Sequence, residues 1–255
     1  SPVRARLAFD ELLANQLAMR MVRHSATEAT PGRAYCGYGH ITSKLRTSLP
    51  YEMTGAQNRA IDEITSDQAK PKRMLRMLQG DVGSGKTLVA LWAMLNAMEA
   101  GAQAALLAPT EVLARQHHAS IQAMLAPLDI EIGLLLGQGR GTANAKTGTT
   151  TTTPVVSRKD TLEKLADGSL SLVVGTHALL SETVAFHDLG LAVVDEQHRF
   201  GVRQRILLGE KGAHVDVMVM TATPIPRSLA MTAYGDLDHS RLDEKPLGRL
   251  PIDTR

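Results

Sequence analysis

The chain has 255 residues, of which 44% are hydrophobic, 21% are charged and 3% are aromatic. Its 28 Lys and Arg residues nearly balance its 26 Asp and Glu residues, so the formal net charge is only +2. A mean hydropathy of -0.08 excludes an extended disordered chain, and no run of apolar residues is long enough to span a bilayer. Composition thus predicts a soluble globular protein of about one large domain with no membrane partner. The near-balanced charge neither requires nor excludes a polyanionic partner.

The chain has a single cysteine, Cys36, which cannot form an internal disulfide. This fits a reducing compartment, and we expect the protein to be cytoplasmic. Cys36 also lacks the neighbouring Cys and His residues of a metal site. The first residues show neither an initiator Met nor the pattern of a signal peptide, which favours a chain cut from a longer protein.

Residues 1–24 carry apolar side chains at steps of four, which predicts a long amphipathic helix. The pattern is formed by Phe9, Leu13, Leu17 and Met21. It stops at residue 25, and the Pro and Gly residues scattered before residue 48 favour a linker over residues 25–48. We therefore expect the main domain to begin at Leu49.

Short apolar segments alternate with helical patterns in the rest of the chain. The predicted strands are residues 74–79, 104–108, 130–136, 172–175, 191–195 and 215–221, and the clearest helices are residues 87–100 and 111–125. This alternation is typical of an α/β fold with a mostly parallel sheet and helices on both faces, in which ligands bind at the carboxyl ends of the strands. The Gly- and Thr-rich residues 137–154 interrupt the pattern, and we expect them to form a mobile surface insertion.

The residues that follow the first of these strands form a candidate phosphate-binding loop. They are Gly80, Asp81, Val82, Gly83, Ser84, Gly85, Lys86 and Thr87, and they match the pattern of Gly, four residues, Gly, Lys and Ser or Thr. Glycines let backbone N–H groups point at phosphate oxygens, and the following helix adds its positive end. The pattern predicts that Lys86 binds the β and γ phosphates of ATP and that the hydroxyl of Thr87 binds Mg²⁺.

A second candidate site lies at the end of the apolar strand 191–195. Asp195 and Glu196 are paired carboxylates at this end, which is the position of the Walker B residues in ATPases. We expect Asp195 to bind Mg²⁺ and Glu196 to orient and deprotonate the attacking water. Two carboxylates at a strand end could also begin a solvated loop, but their place downstream of a phosphate-binding loop disfavours this alternative.

Several motifs together resemble the motor core of superfamily 2 helicases. They are Asp-Glu-Gln-His at residues 195–198, Thr-Ala-Thr at 221–223, Ala-Pro-Thr-Glu at 108–111, and Gln57 upstream of the phosphate-binding loop. The longer runs Asp-Glu-Gln-His-Arg-Phe-Gly-Val at 195–202 and Thr-Ala-Thr-Pro-Ile-Pro-Arg at 221–227 are similar to the RecG family of bacterial branch-migration helicases. The resemblance implies a RecA-like lobe over residues 49–240, an amino-terminal helix next to a DNA-binding wedge domain, and from residue 241 a linker to a second lobe.

The resemblance also implies roles for individual residues. Gln57 matches the motif that reads the edge of adenine, for which a side-chain amide is suited because it both donates and accepts. The positions that match DNA-binding or coupling motifs are Pro109, Thr110, Arg115, Thr176, His177, His198, Thr221 and Thr223. Polar groups of these types can hold phosphates without reading bases. We expect Thr221 and Thr223 to contact Asp195 or Glu196 and so to connect the nucleotide with the DNA.

Purely structural roles remain open for some of these residues. Without the resemblance, Gln57 would pass as a glutamine on the surface of a helix. Thr110 and Thr176 would pass as residues that cap helices, because a threonine hydroxyl accepts a hydrogen bond from the first turn.

The implied function is that of an ATP-dependent DNA helicase. It would use ATP and Mg²⁺ to migrate branches and to remodel stalled forks and Holliday-type junctions in recombination and repair. The implied partners are branched double-stranded DNA and, within one full-length monomer, a second RecA-like lobe and a wedge domain. The arginine-finger motif of that lobe, Gln-x-x-Gly-Arg-x-Gly-Arg, does not occur in these residues, so we expect the chain alone to be weakly active.

Two other functions remain open at this point. The translocase module of a transcription-repair coupling factor has similar motor motifs. A nucleotide-dependent binding switch would use the same phosphate-binding loop to time a protein contact.

Overall fold

The structure is a computed structural model that describes residues 32–137, 158–195, 211–212, 214–223 and 237–244. It also describes seven residues nearer the amino terminus, namely Arg6, Phe9, Asp10, Glu11, Leu13, Ala14 and Leu17. The helices are α1 (His40–Ser48), α2 (Gly55–Gln68), α3 (Lys86–Glu99), α4 (Glu111–Leu125) and α5 (Arg158–Asp167). The strands are β1 (Leu75–Gly80), β2 (Gln103–Leu107), β3 (Ile132–Leu135), β4 (Leu172–Gly175), β5 (Leu189–Asp195), β6 (Asp216–Thr221) and β7 (Asp238–Leu242).

The strands form one sheet in the order β3-β4-β2-β5-β6-β1-β7, and every pairing is parallel. Because all strands run the same way, their carboxyl ends meet at one edge, which we call the carboxyl edge. At this edge β5 lies between β2 and β6. The phosphate-binding loop after β1 and the segments after β2 and β4 therefore lie on opposite sides of the end of β5.

Helices cover both faces of the sheet. Ala104 and Leu106 of β2 pack into one core cluster together with buried residues of α1, α2, α3 and α4. Ala105 and Leu107 of the same strand pack into a second cluster that includes Leu165 of α5. Alternate residues of one strand thus face two helical layers, which confirms the predicted α/β fold with a parallel sheet.

The six predicted strands are all present, and their ends differ from the predicted ends by no more than two residues. The edge strand β7 was not predicted, because Asp238, His239, Ser240 and Arg241 carry no apolar run. Its pairing with β1 is supported by side chains. Arg76 of β1 donates to the hydroxyl of Ser240 at 2.8 Å and forms ion pairs with Glu63 and Asp67 of α2. A strand held by polar contacts of this kind leaves no hydrophobic periodicity to detect.

The prediction of a linker over residues 25–48 is wrong for its second half. Residues 40–48 form α1, which packs against α3, and Arg46 lies 5.1 Å from the centre of the Trp92 ring. Tyr35 is buried, and its hydroxyl donates to the carbonyl of His214 at 3.0 Å. The prediction relied on an apolar pattern. This segment lacks such a pattern because contacts with distant residues hold it in place. The boundary at residue 49 is thus too late for the folded body.

The seven described residues near the amino terminus are all helical, as their spacing predicts. Three of them, Phe9, Leu13 and Leu17, expose about half of their surface, at 59%, 45% and 52%. The predicted insertion over residues 137–154 lies outside the described residues apart from Gly137. Among the described residues, no helix combines the length and the apolar character needed to cross a membrane.

Candidate nucleotide and nucleic-acid site

The phosphate-binding loop connects the end of β1 to the start of α3, as predicted. Gly83 and Gly85 have φ angles of 79° and 90°, in the left-handed region that side chains with a Cβ rarely adopt. At Gly80 a Cβ atom would lie 2.5 Å from Ser84 Oγ and 2.9 Å from Leu242 Cβ, so a side chain is excluded by space. No side chain caps the amino terminus of α3. Its first N–H groups are therefore not engaged by a capping residue and suit an anionic ligand.

Two polar groups of the loop fit a phosphate ligand. The ammonium of Lys86 donates to the loop carbonyls of Gly80 at 2.6 Å and Asp81 at 2.9 Å, which holds it inside the loop. The hydroxyl of Ser84 is buried and has no hydrogen-bond partner among the described residues. A buried hydroxyl without a partner is costly unless a ligand uses it. Together with the glycine cradle and the uncapped helix, these groups fit the phosphates of ATP.

Gln57 lies directly beneath this loop. Its side-chain N–H donates to the carbonyl of Ser84 at 2.9 Å, and its oxygen accepts from the backbone of Thr54 at 3.0 Å. The Thr54 hydroxyl accepts from Gln57 in return, so the two residues form a capping box at the start of α2. Gln57 is buried, and the structure thus gives it a contact with the phosphate-binding loop. The reading of adenine by Gln57 stays a prediction.

A cavity beside the start of α2 was not found by sequence reasoning. Its volume is about 560 Å³, and it is lined by Arg46, Leu49, Pro50, Tyr51, Glu52, Met53 and Asn58. It is about half open to solvent. Tyr51, which exposes 51% of its surface, offers an aromatic face there. No local pattern in the sequence could have found it, because its lining combines residues of α1, of the segment after α1 and of α2.

Asp195 is the last residue of β5, at the carboxyl edge, as its sequence predicts, and its role as a metal ligand stays a prediction. Its Oδ2 atom lies 2.6 Å from Nε2 of His117, which projects from α4. Both side chains are mostly buried, with 10% and 13% of their surfaces exposed. His117 was not among the predicted site residues. Glu196 and His198 lie outside the described residues, so their roles stay predictions.

The prediction that Thr221 and Thr223 contact Asp195 or Glu196 stays a prediction, because Glu196 lies outside the described residues. Thr221 ends β6 beside Asp195, but its hydroxyl is 2.9 Å from the hydroxyl of Thr223 and also accepts from the Thr223 backbone. The carbonyl of Thr223 accepts in turn from Gln79 at the end of β1. Thr221 and Thr223 therefore form hydrogen bonds with each other, and Thr223 also bonds to β1. Among the described residues, the side chain that contacts Asp195 is His117.

The predicted DNA-binding residues lie after β2 and β4, which are neighbours in the sheet. The hydroxyl of Thr110 accepts from the backbone of Leu113 and so caps α4, while Thr110 and Arg115 are exposed. Thr176 is buried and caps the short 3₁₀ helix His177–Leu180, in which His177 is exposed. The capping role that was left open for both threonines is confirmed. Thr110 can still donate its O–H to a phosphate, because capping uses only its oxygen.

The carboxyl edge therefore carries two groups of residues side by side. The phosphate-binding loop follows β1, Thr221 follows next to it on β6, and Asp195 ends β5. Pro109 and Thr110 follow β2, and Thr176 and His177 follow β4. A nucleotide at the first group and a nucleic-acid backbone at the second would meet at the end of β5.

Residues 54–232 match the DEAD/DEAH box helicase family. The chain belongs to this family. The match covers the phosphate-binding loop, Asp195 and the segments after β2, β4 and β6, so the arrangement at the carboxyl edge is that of a helicase motor lobe.

Within this family the similarity is to RecG. The chain is 50% identical to the ATP-dependent DNA helicase RecG of Acidithiobacillus ferridurans and 46% identical to that of Escherichia coli (strain K12), over 99% of its own length. Its fold is similar to a structure of RecG bound to a three-way DNA junction, with a TM-score of 0.80 and 42% identity over 98% of this chain. The chain spans 35% of the two relatives and 31% of that structure's chain. The resemblance to RecG predicted from the motifs is confirmed.

Proposed function

We propose that the chain is the ATP-binding motor lobe of an ATP-dependent DNA helicase that migrates branches and remodels stalled forks and junctions. The observation that carries this proposal is the arrangement at the carboxyl edge, where a phosphate-binding loop and Asp195 adjoin exposed polar residues in a fold similar to junction-bound RecG. The similarity to RecG favours this function over a transcription-repair coupling factor or a binding switch. Repair and recombination of DNA in the cytoplasm are the processes that fit it.

In the proposed reaction, Lys86 moves from the carbonyls of Gly80 and Asp81 to the β and γ phosphates of ATP. The hydroxyl of Ser84 and the first N–H groups of α3 donate to the same phosphates. Thr87 and Asp195 would hold Mg²⁺, which when bound neutralises charge on the phosphates. Glu196 orients the attacking water and accepts its proton. The adenine would lie near the cavity beside Tyr51, and the side chain of Gln57 would contact the edge of the adenine ring.

On the DNA side, we propose that Thr110 and Arg115 of α4 and His177 bind backbone phosphates. The exposed amino terminus of α4 adds favourable dipole potential, and such contacts position DNA without reading its sequence. Pro109 fixes the backbone before the helix. The net charge of +2 is compatible with this role, because a few cations in a local strip suffice. The second lobe and the wedge domain of the full-length monomer would supply the remaining grip on the branched DNA.

The test replaces Lys86 by Ala in the full-length gene product. We expect DNA-stimulated ATP hydrolysis to fall roughly 10²- to 10³-fold, because a preorganised charge at the transferred phosphate is lost. Binding to a three-way DNA junction should change less than twofold, since phosphate contacts with DNA do not need the nucleotide. Phosphate release and fluorescence anisotropy of a labelled junction measure the two quantities.

Lys72→Ala is the matched control. Lys72 is exposed and precedes β1, at the sheet edge opposite the phosphate-binding loop. The Lys72→Ala variant should leave both ATP hydrolysis and junction binding unchanged. A wild-type protein whose ATP turnover does not respond to forked DNA would contradict the proposed function, as would a Lys86→Ala variant that keeps its turnover.

A further inference from the structure

His117 stands apart from the motif residues because it is the described side chain that contacts the carboxylate of Asp195. The distance of 2.6 Å between His117 Nε2 and Asp195 Oδ2 is short for a nitrogen-oxygen contact. A carboxylate that accepts from an imidazole N–H forms a short and comparatively strong hydrogen bond. Both groups are largely screened from water, with 13% and 10% of their surfaces exposed, so solvent does not compete strongly for the bond.

An aspartate at the end of a strand needs such a contact to have a fixed orientation. The last torsion of an aspartate side chain has broad, shallow minima, so a carboxylate with no partner turns easily. A hydrogen bond to one oxygen fixes the plane of the carboxylate and hence the direction of both oxygens. Residues that orient metal ligands in this way affect metal affinity without touching the metal.

The position of His117 on α4 gives this contact a second consequence. α4 begins at the capping residue Thr110, at the proposed DNA surface, and His117 lies seven residues later on the same helix. Two turns of helix separate the residues by about 10 Å. Because the helix is continuous between them, a movement of α4 as a rigid body would carry Thr110 and His117 together. The neighbouring His118 is bonded elsewhere, to the carbonyl of Ile132 at 3.1 Å.

We propose that His117 is a positioning residue that orients Asp195 for Mg²⁺ and connects the DNA-facing end of α4 with the nucleotide site. This inference rests on the proposed function, in which Asp195 holds the metal and Thr110 contacts DNA. It assigns to α4 a direct connection between the two sites through the bond from His117 to Asp195.

The experiment compares His117→Ala, His117→Gln and His118→Ala in the full-length gene product. The first readout is the binding of a fluorescent, non-hydrolysable ATP analogue, titrated with Mg²⁺ and also measured without Mg²⁺. We expect His117→Ala to raise the half-saturating Mg²⁺ concentration about tenfold, the lower end of the range for residues that orient metal ligands. Analogue binding without Mg²⁺ should be unchanged, because Lys86 and the loop are intact.

His117→Gln tests whether the hydrogen bond is the cause. A glutamine amide places an N–H donor near the position of Nε2, so it should restore most of the Mg²⁺ affinity. His118→Ala should match the wild type. The second readout is the ratio of ATP turnover with forked DNA to turnover without it, which His117→Ala should lower by more than it lowers basal turnover.

Three outcomes would overturn the inference. They are an unchanged Mg²⁺ requirement in His117→Ala, an equal loss of analogue binding with and without Mg²⁺, and an unchanged ratio of DNA stimulation. Each is distinguishable from failure of the proposed function, because wild type and His118→Ala would still show ATP turnover stimulated by DNA. Loss of that stimulation in the wild type would instead remove the proposed function itself.

Discussion

Asp216 is a buried carboxyl group far from the proposed chemistry. It begins β6, at the sheet edge opposite the phosphate-binding loop, and is fully buried. One of its oxygens accepts from the backbone of Met74 at 2.7 Å, and the other has no partner among the described residues. Burial is the main cause that raises the pKa of Asp216 to about 8, while the bond from Met74 and the charge of Arg73 oppose it. At pH values between 3.8 and about 8, the Asp216 carboxyl group is therefore protonated in the folded protein and ionised in the unfolded chain.

The raised pKa predicts a loss of stability with rising pH. Between the ordinary aspartate pKa of 3.8 and the folded value of about 8, the folded state binds more protons than the unfolded state. Its free energy of unfolding should fall through this window, by at most about 1.4 kcal/mol for each pH unit, and level off above pH 8. Asp216→Asn should remove this slope, because the amide stays neutral and still accepts from Met74.

Urea unfolding of the 255-residue chain, followed by the fluorescence of its single tryptophan, Trp92, measures the slope at several pH values. Asp129→Asn is the control, since Asp129 is exposed and asparagine tolerates its positive φ of 52°. The three proteins share all their histidines, so the difference between variants isolates Asp216. If Asp216→Asn and the wild type show the same slope, Asp216 is ionised in the folded state and the prediction is wrong.

Single residues also mark the limit of what the sequence could predict about the site. Lys86 and Asp195 were predictable, because a loop and a strand end have local patterns with fixed spacing. The contact between His117 and Asp195 joins residues 78 positions apart, and it depends on how α4 packs beside β5. Two adjacent histidines carry no pattern that says which of them faces the site. The same holds for Gln57, whose bond to Ser84 follows from the packing of α2 beneath the loop.

At the scale of elements, α1 depends on a cap that comes from another helix. Its N-cap residue Gly39 has a φ angle of 73° and no side chain that could cap. The carboxylate of Glu99, at the end of α3, accepts from the backbone N–H groups of Gly39 at 2.6 Å, Thr42 at 3.4 Å and Ile41. The negative charge also lies at the positive end of the helix dipole. Glu99 thus replaces the local capping residue that the sequence lacks.

Glu99→Ala should lower the free energy of unfolding by about 1–2 kcal/mol, the usual cost of a lost cap. Glu99→Gln should cost less, because one carbonyl oxygen can still accept. Urea unfolding measures both values, and Glu163→Ala on the exposed face of α5 is the control for a surface glutamate. Equal stabilities of Glu99→Ala and Glu163→Ala would mean that water caps α1 as well as Glu99 does.

The contacts of α1 and β7 show why these two elements were not predicted while the other strands and helices were. The buried strands carry apolar runs, and α3 and α4 carry helical periodicity, so their existence follows from the sequence. α1 and β7 have neither, because α1 is held by Glu99 and Arg46 and β7 by Arg76 and hydrogen bonds to β1. Each element buries a single apolar residue, Leu45 in α1 and Leu242 in β7, which is too few to form a local pattern.

At the scale of the whole molecule, the order of the strands determines which site residues lie next to each other. The sequence predicted a parallel sheet with ligands at its carboxyl edge, but not that β5 lies between the nucleotide side and the proposed DNA side. That order depends on crossovers between helices and strands, for which several arrangements satisfy the same pattern. It places Asp195 where both sides meet. With a net charge of only +2, the proposed DNA contacts of this lobe would depend on a local group of cations.

The last prediction concerns the activity of the 255 residues alone. They carry the phosphate-binding loop and Asp195, but the motif expected to supply an arginine finger does not occur among them. Such an arginine stabilises the charge of the transition state and raises turnover roughly 10³-fold or more in other P-loop enzymes. We therefore expect the 255-residue chain to hydrolyse ATP about 10³-fold more slowly than the full-length gene product, with little stimulation by forked DNA.

Phosphate release from both proteins, with and without forked DNA, measures this difference, and the Lys86→Ala variant of each sets the background rate. Binding of the ATP analogue to the chain should persist, because the loop that holds the phosphates is complete. Brisk turnover of the chain alone that rises with forked DNA would show that its own residues supply the missing cation. Arg199 would then be the first residue to replace, since it lies four residues after Asp195 in the sequence.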